Sequence, residues 1–203
     1  MLDDSRDDRP QRHWVPACAG MTNRLLKGNR RYQHPFPLSS ELISKLDQWL
    51  KIHRPDYHAS LQSGVSEADL AAFESQFSLK LPITFRQLYQ WKSGQDPGAF
   101  EALQFNRMWM TLADIAEVKD MMDGMIGYDF EDPRYWRRGW VPFLGNGGGS
   151  YLCLDLAAED GGQPGQVLEF WKADEGRPVI WADIQAWLAD LVRSMEDGAL
   201  EIY

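Results

Sequence analysis

Apolar residues recur at helical spacing in five stretches of the chain and crowd into short runs in five others, with caps and turn residues between them. Leu42, Ile43, Leu46, Trp49 and Leu50 form the first helical pattern, behind Ser39 or Ser40 as cap, and Pro55 stops it at or before Arg54. A polar connector is expected to follow as far as Val65. Ser66 caps a second helix to Phe77, with Asp69 three residues on and Leu70, Phe73 and Phe77 as the apolar stripe. Leu81-Pro82 breaks the chain and starts a third helix to Trp91, because proline is accepted in a first helical turn. Gly94 stands where a left-handed terminator would be placed. Thr111, with Asp114 three residues later, caps a fourth helix carrying Ile115, Val118, Met121 and Met122 and ending at Gly124. Methionines at this spacing fit core filler better than an adaptable binding surface. Asp183 caps the strongest helix, whose Ile184, Trp187, Leu188, Leu191, Val192 and Met195 make one continuous face.

The strand-like runs are Met108 to Met110, Trp140 to Leu144, Ser150 to Leu156, Gln166 to Lys172 and Val179 to Trp181. In the fourth, Val167, Glu169 and Trp171 fall on one face and Leu168 and Phe170 on the other. Gly145-Asn146-Gly147-Gly148-Gly149 joins two of these runs, and such a loop can cradle a phosphate through its backbone N–H groups. Context argues against that chemistry here. A Walker-type loop requires Lys and then Ser or Thr after the last glycine, where this chain has Ser150 and Tyr151, and a dinucleotide fingerprint must open into a helix. The loop is therefore expected to be a structural hairpin.

Length and composition narrow the class. With 203 residues, 44% of them apolar, and nine tryptophans, the chain can build one well-buried domain with an appendage. No apolar run approaches the ~20 residues of a membrane helix, and no secretory signal is evident, so a soluble cytoplasmic protein is expected. Cys18 and Cys153 do not suggest a disulfide framework, and Cys153 fits a small buried hydrophobe. The net charge of −9 is unevenly placed: residues 1–34 hold seven basic and four acidic residues, leaving 14 basic against 26 acidic, or −12, for the remainder. A body this acidic repels nucleic acid and attracts basic partners, although acidity can also serve solubility alone.

Residues 1–37 are charged, proline-bearing and aperiodic, and are expected to form a poorly ordered extension to a domain at 38–203. His13 to Thr22 resembles the translation of a bacterial dispersed intergenic repeat, which would place the functional start at Met21; a basic arm made from Met1 is the alternative.

Catalytic chemistry finds little footing. His13, His34, His53 and His58 all precede Ser66, so no Ser-His or Cys-His pair can be drawn in the body beyond it. His53 and His58 lie five apart across a proline, which is not the spacing of helical metal ligands. No metal or cofactor is expected. The segment Tyr128 to Arg138 is the most unusual, placing Asp129, Glu131 and Asp132 ahead of Arg134, Arg137 and Arg138 around Tyr135 and Trp136. Long loops carrying aromatics and both charge signs are where function sits on a rigid scaffold. A desolvated aromatic supplies affinity and complementary charge supplies rate and selectivity. The candidate contact residues are Trp109, Tyr128, Asp129, Glu131, Asp132, Tyr135 and Trp136, with Glu159 and Asp160 from the acidic turn at 157–164.

The order of signals from Ser66 to Leu191 resembles the Smi/Knr cell-wall-assembly-regulator-like family of the SUKH superfamily. The match uses Glu74, Phe77, Leu81-Pro82, Tyr89, Ser93-Gly94, Leu112, Trp140-Val141-Pro142-Phe143, Gly148-Gly149, Leu154-Asp155, Gly165-Gln166-Val167 and Trp187-Leu188. The family usually has glycine at Ser78, asparagine at Ser93 and Ser-Phe at Asp183-Ile184, replacements that keep the local geometry. The resemblance implies a single α+β domain with a mostly antiparallel sheet flanked by helices. It also implies a non-catalytic role. Bacterial members are commonly immunity proteins that neutralise polymorphic toxins, often nucleases, and fungal members act as scaffolds in cell-wall synthesis and signalling. A basic toxin domain is the expected partner on the first reading.

Overall fold

A computed structural model describes residues 39–203 apart from Pro133. The expectations for residues 1–37, including the repeat-like stretch and Cys18, lie outside the described residues. The elements run α1 (Ser39–His53), α2 (Pro55–Ser60), β1 (Leu61–Ser63), α3 (Glu67–Phe77), α4 (Ile83–Trp91), β2 (Lys92–Gln95), β3 (Met108–Trp109), α5 (Leu112–Gly124), β4 (Trp140–Gly145), β5 (Tyr151–Asp155), β6 (Gln166–Phe170), β7 (Val179–Trp181) and α6 (Ile184–Glu196).

The helix starts follow from their caps. Ser66 and Thr111 each accept the N–H three residues on, and Asp69 and Asp114 return the bond to the cap N–H, so α3 and α5 both open on complete capping boxes. Asp183 accepts the Ala186 N–H at 2.7 Å at the head of α6. Two local expectations are corrected. The connector at 55–65 carries α2, with Pro55 in its first turn, and β1, a strand of three residues, too short for periodicity to reveal, that pairs with β2 across two intervening helices. Gly94 does not terminate α4, which already ends as Lys92 turns extended. It lies in β2 with φ of +76°, where a Cβ would come within 2.4 Å of the Met110 carbonyl oxygen.

The main sheet has the order β3-β4-β5-β6-β7, antiparallel throughout, and β1 with β2 forms a separate ribbon. Pro142 sits beside a bulge in β4, a place where a strand tolerates a residue without an N–H. Alternation along the strands divides the interior in two. Val141, Phe143, Leu152, Leu154 and Val167 face a large core shared with α1, α4 and α6, while Trp140, Tyr151, Cys153, Leu168 and Phe170 face a smaller, more aromatic one. Helix α5 serves both, with Leu112 and Ile115 in the first and Met122 in the second. The product is the expected single α+β domain. No described helix is long and apolar enough to cross a membrane.

Candidate functional site

The smaller core is closed by α5 and by the irregular segment 125–139, and this outer face is where the unusual residues gather. Helix α5 buries Lys119 completely, three residues before Met122 on the same inward face. Its Nζ donates to Asp123 Oδ2 at 2.9 Å and to the Arg138 carbonyl at 2.5 Å, and sits 5.2 Å from the centre of the Phe77 ring. Asp123 Oδ1 in turn accepts the indole N–H of Trp136 at 2.9 Å. Burial pushes the Lys119 ammonium below its ordinary pKa while Asp123 opposes the shift. The pair therefore fixes where the segment crosses the helix, since a charge taken out of water must keep its partners.

The segment begins with a closed turn. The N–H groups of Tyr128, Asp129 and Phe130 all donate to the Met125 carbonyl at 3.0–3.1 Å, and Gly127 pairs back to Phe130. This holds Tyr128 at the tip, 82% exposed, with Asp129 and Glu131 beside it in the chain and also exposed. On the outward side of α5, Glu117 and Asp120 are three residues apart and so share a face, next to the half-exposed Met121. No Lys or Arg among the described residues pairs with these four carboxylates.

Further along, the segment is tied down. Tyr135 donates its hydroxyl to the Lys172 carbonyl at 2.9 Å, packs at a tilt against Phe130 and meets Phe170 edge to face. The Arg177 guanidinium lies 4.3 Å from the centre of Phe170 and 5.1 Å from that of Tyr135, and donates to the Tyr135 and Trp171 carbonyls. Arg137 reaches Asp160 at 2.5 Å and Glu159 at 3.4 Å, joining the acidic turn to the segment. Arg134 grips Asp132, and that hydrogen-bonded cation holds the Asp132 carboxyl down at about 2.

The nine candidate residues thus separate by exposure. Trp109 and Trp136 are core side chains, each 1% exposed, and cannot touch a partner here; Trp109 donates its indole N–H to Tyr89 and Trp136 to Asp123. Large aromatics at loop ends read alike in sequence whether they point in or out. Tyr135 is half-buried and braces the segment. Asp132, Glu159 and Asp160 have arginine partners. Tyr128, Asp129 and Glu131 are left open to solvent. Two participants were missed: Lys119, whose place between Ile115 and Met122 on a helical face is a legible sign of burial, and Arg177, which stands in a turn with no such sign.

The carboxylates that the fold perturbs, Asp47, Asp69, Glu74 and Asp132, are all pushed down, toward permanent ionisation rather than toward the proton-donating form. No group of His, Cys, Asp or Glu among the described residues could hold a metal ion. In the glycine hairpin, Asn146 Oδ1 accepts the N–H groups of Gly148 and Ser150 at 2.8 and 3.1 Å, so these amides are engaged within the loop.

The motif residues serve the fold. Glu74 accepts the Leu81 N–H at 2.8 Å together with Arg86 and Lys80, locking the corner where Pro82 heads α4. Tyr89 donates to the Met110 carbonyl above Gly94. Asp155 accepts the Ala157 and Ala158 amides and Gln166 Nε2, and its carbonyl accepts the Gly165 N–H. Trp140 and Pro142 lie in β4, Gly148 and Gly149 in the hairpin, and Trp187 and Leu188 are fully buried in α6. The departures fit too. Ser78 takes the left-handed conformation, φ 53°, that explains a glycine there, and Ser93 Oγ accepts the Leu112 N–H at 3.3 Å.

Comparison with known sequences gives the same frame. The chain is 24% identical over 225 aligned residues to "KNR4/SMI1 homolog 2" of Debaryomyces hansenii, covering 86% of this chain and 38% of that protein. It is 25% identical over 192 to "Cell wall biosynthesis/cell cycle regulator smi1" of Schizosaccharomyces pombe, covering 80% and 37%. A 51-residue stretch is 43% identical to "F-box protein SKIP16" of Arabidopsis thaliana, covering 25% of this chain and 12% of that one. The chain thus spans under two-fifths of the length of these relatives. The profile described as the SMI1 / KNR4 family (SUKH-1) matches residues 64–190, and the chain belongs to that family.

Proposed function

We propose that this domain is a non-catalytic protein-binding module with a regulatory, scaffold-like role in the cytoplasm. The observation that carries this reading is the division of labour in the site. The residues shared with the family are used up in internal contacts, while Tyr128, Asp129, Glu131, Glu117 and Asp120 are exposed and the four carboxylates have no Lys or Arg partner among the described residues. Preorganised exposed aromatics with unpaired charge suit a protein contact. The fission-yeast relative is named a cell wall biosynthesis and cell cycle regulator, which favours regulation over catalysis.

A second reading, an immunity protein that neutralises a basic toxin domain, draws on the charge. With 14 basic against 26 acidic residues after residue 34, the body complements a surface built to grip phosphate. The test combines both. Proteins retained from native lysate by the wild-type chain are compared with those retained by Tyr128→Ala and by Asp129→Lys/Glu131→Lys, and the genes flanking its own are co-expressed with and without it. Retained proteins lost on these changes support a binding module. Relief of growth arrest by a neighbouring gene selects the immunity form; its absence, with a retained regulatory protein, selects the scaffold. Identical retention by all three chains, or turnover of a substrate by the purified protein, would refute the proposal.

A further inference from the structure

At the β3 edge of the sheet, away in sequence from the Tyr128 turn, the surface opens into a groove of about 280 Å³ between the loop after β2, the start of α5 and the glycine hairpin. Its walls are mostly apolar, with Met108, Met110, Val118 and Tyr151 along the inside, and Phe100 stands on its rim 84% exposed. An aromatic so exposed needs a reason, and the backbone beneath it supplies one. Gln95 is buried, and its Nε2 donates to the carbonyls of Ala99 at 2.6 Å and Glu101 at 2.9 Å, the residues on either side of Phe100. Its Oε1 accepts the Trp109 N–H and the Tyr57 hydroxyl, so every hydrogen-bonding position of one glutamine is used to fix this loop. Arg54 holds the next residues, through Glu101 and the Ala102 carbonyl. Phe100 is thereby presented in a set place and loses little freedom on contact.

The groove is also kept open. A Cβ at Gly145 would press within 3.2 Å of the Tyr151 ring and 3.4 Å of the Met110 sulfur, both of which line it. Two methionines give walls that adapt to the shape of an inserted side chain. The lining includes two carboxylates, Asp96 and Asp114; both accept backbone N–H groups and neither has a Lys or Arg within ion-pair distance among the described residues. An apolar floor with an uncompensated negative rim favours a segment that brings one large aliphatic or aromatic side chain for the groove and a Lys or Arg beside it for the rim.

We infer that the groove beside Phe100 is a docking site for a short basic segment of a partner protein, anchored by one apolar side chain and separate from the Tyr128 face. The test selects a phage-displayed library of random twelve-residue peptides on the full chain and measures the selected peptides against variants by fluorescence polarisation. The selected peptides should share one large apolar residue within a few positions of Lys or Arg. Phe100→Ala, a change at an exposed side chain that leaves the fold intact, should weaken them about tenfold. Asp96→Asn should weaken them a few-fold and flatten their salt dependence, and Tyr128→Ala should leave affinity unchanged. Selected peptides that are acidic, or that bind Phe100→Ala as tightly as wild type, would overturn the inference. So would failure to select any peptide above an unrelated acidic protein. Self-association of the full chain abolished by Phe100→Ala would overturn it in favour of a second copy as occupant. Loss of native partners through Tyr128 and the charges near it is read separately in the preceding experiment, so either idea can fail while the other stands.

Discussion

The two faces of the main sheet are held by different physics. On one, α1, α4 and α6 lay a continuous aliphatic and aromatic layer over Val141, Phe143, Leu152, Leu154 and Val167, and burial of apolar area supplies the stabilisation. On the other, a single helix and an irregular segment cover Trp140, Cys153 and Phe170, and the cover is pinned by Lys119, Asp123, Trp136 and Arg177 through directed bonds and ring contacts. Area burial tolerates many sequences and involves no titrating group. A buried ion pair is a specific fastening, so it can hold an irregular backbone in one shape and present its outer residues to a partner. The contact surface proposed above sits on this fastened face.

The comparison breaks most visibly at α6. Leu188→Ala removes a fully buried side chain between helix and sheet and should cost about 2–5 kcal/mol, lowering the urea midpoint of the whole domain in one transition. Next comes the fastening. Lys119→Met leaves Asp123 without its ammonium, and because Asp123 is partly exposed and keeps the Trp136 N–H, the cost should be about 1–3 kcal/mol. Adding Asp123→Asn, which preserves an acceptor for Trp136, should recover much of that loss; a double-mutant cycle in urea reads the coupling. A double-variant loss equal to the sum of the two single losses would show that the pair does not act as a unit.

The helical side has a polar site of its own at the corner between α3 and α4. Burial opposes ionisation of Glu74, and the Leu81 amide with Lys80 and Arg86 outweighs it, so its folded carboxyl titrates below the ordinary 4.5. A depressed carboxyl stabilises above its unfolded pKa and loses that contribution as pH falls through the folded one. Stability should therefore decline below about pH 4.5, and Glu74→Gln, less stable at neutral pH, should decline less steeply, as seen in thermal melts across that range. The smallest effect belongs to Ser78. Its left-handed backbone strains a residue with a Cβ, while glycine brings extra freedom to the unfolded chain, so Ser78→Gly should stabilise by roughly 0.5 kcal/mol.

The helical face was largely legible because its signals are repetitive. Ser66 with Asp69, Thr111 with Asp114, and the six-residue stripe of α6 announce helices by cap and period, and alternation in Gln166–Phe170 assigned its two faces correctly. On the outer face, the irregular segment 125–139 obeys no period. Tyr128, Tyr135 and Trp136 are similar letters in one loop, yet one projects, one braces and one is buried, because a backbone turn on Met125 and a lysine on the neighbouring helix decide which way each points. The Phe100 loop escaped for a related reason, since Gln95, which sets it, belongs to a four-residue strand whose partner β1 had no sequence signal.

The central claim is that the fastened acidic face acts by touching another protein. It is tested by the affinity of a partner recovered with the wild-type chain, measured as a function of ionic strength for wild type and for Asp129→Lys/Glu131→Lys at matched thermal stability. The account predicts weakening of wild-type binding as salt rises, and a variant that binds at least tenfold less tightly with a shallower salt dependence. Equal affinity and equal salt dependence in the two chains would contradict it.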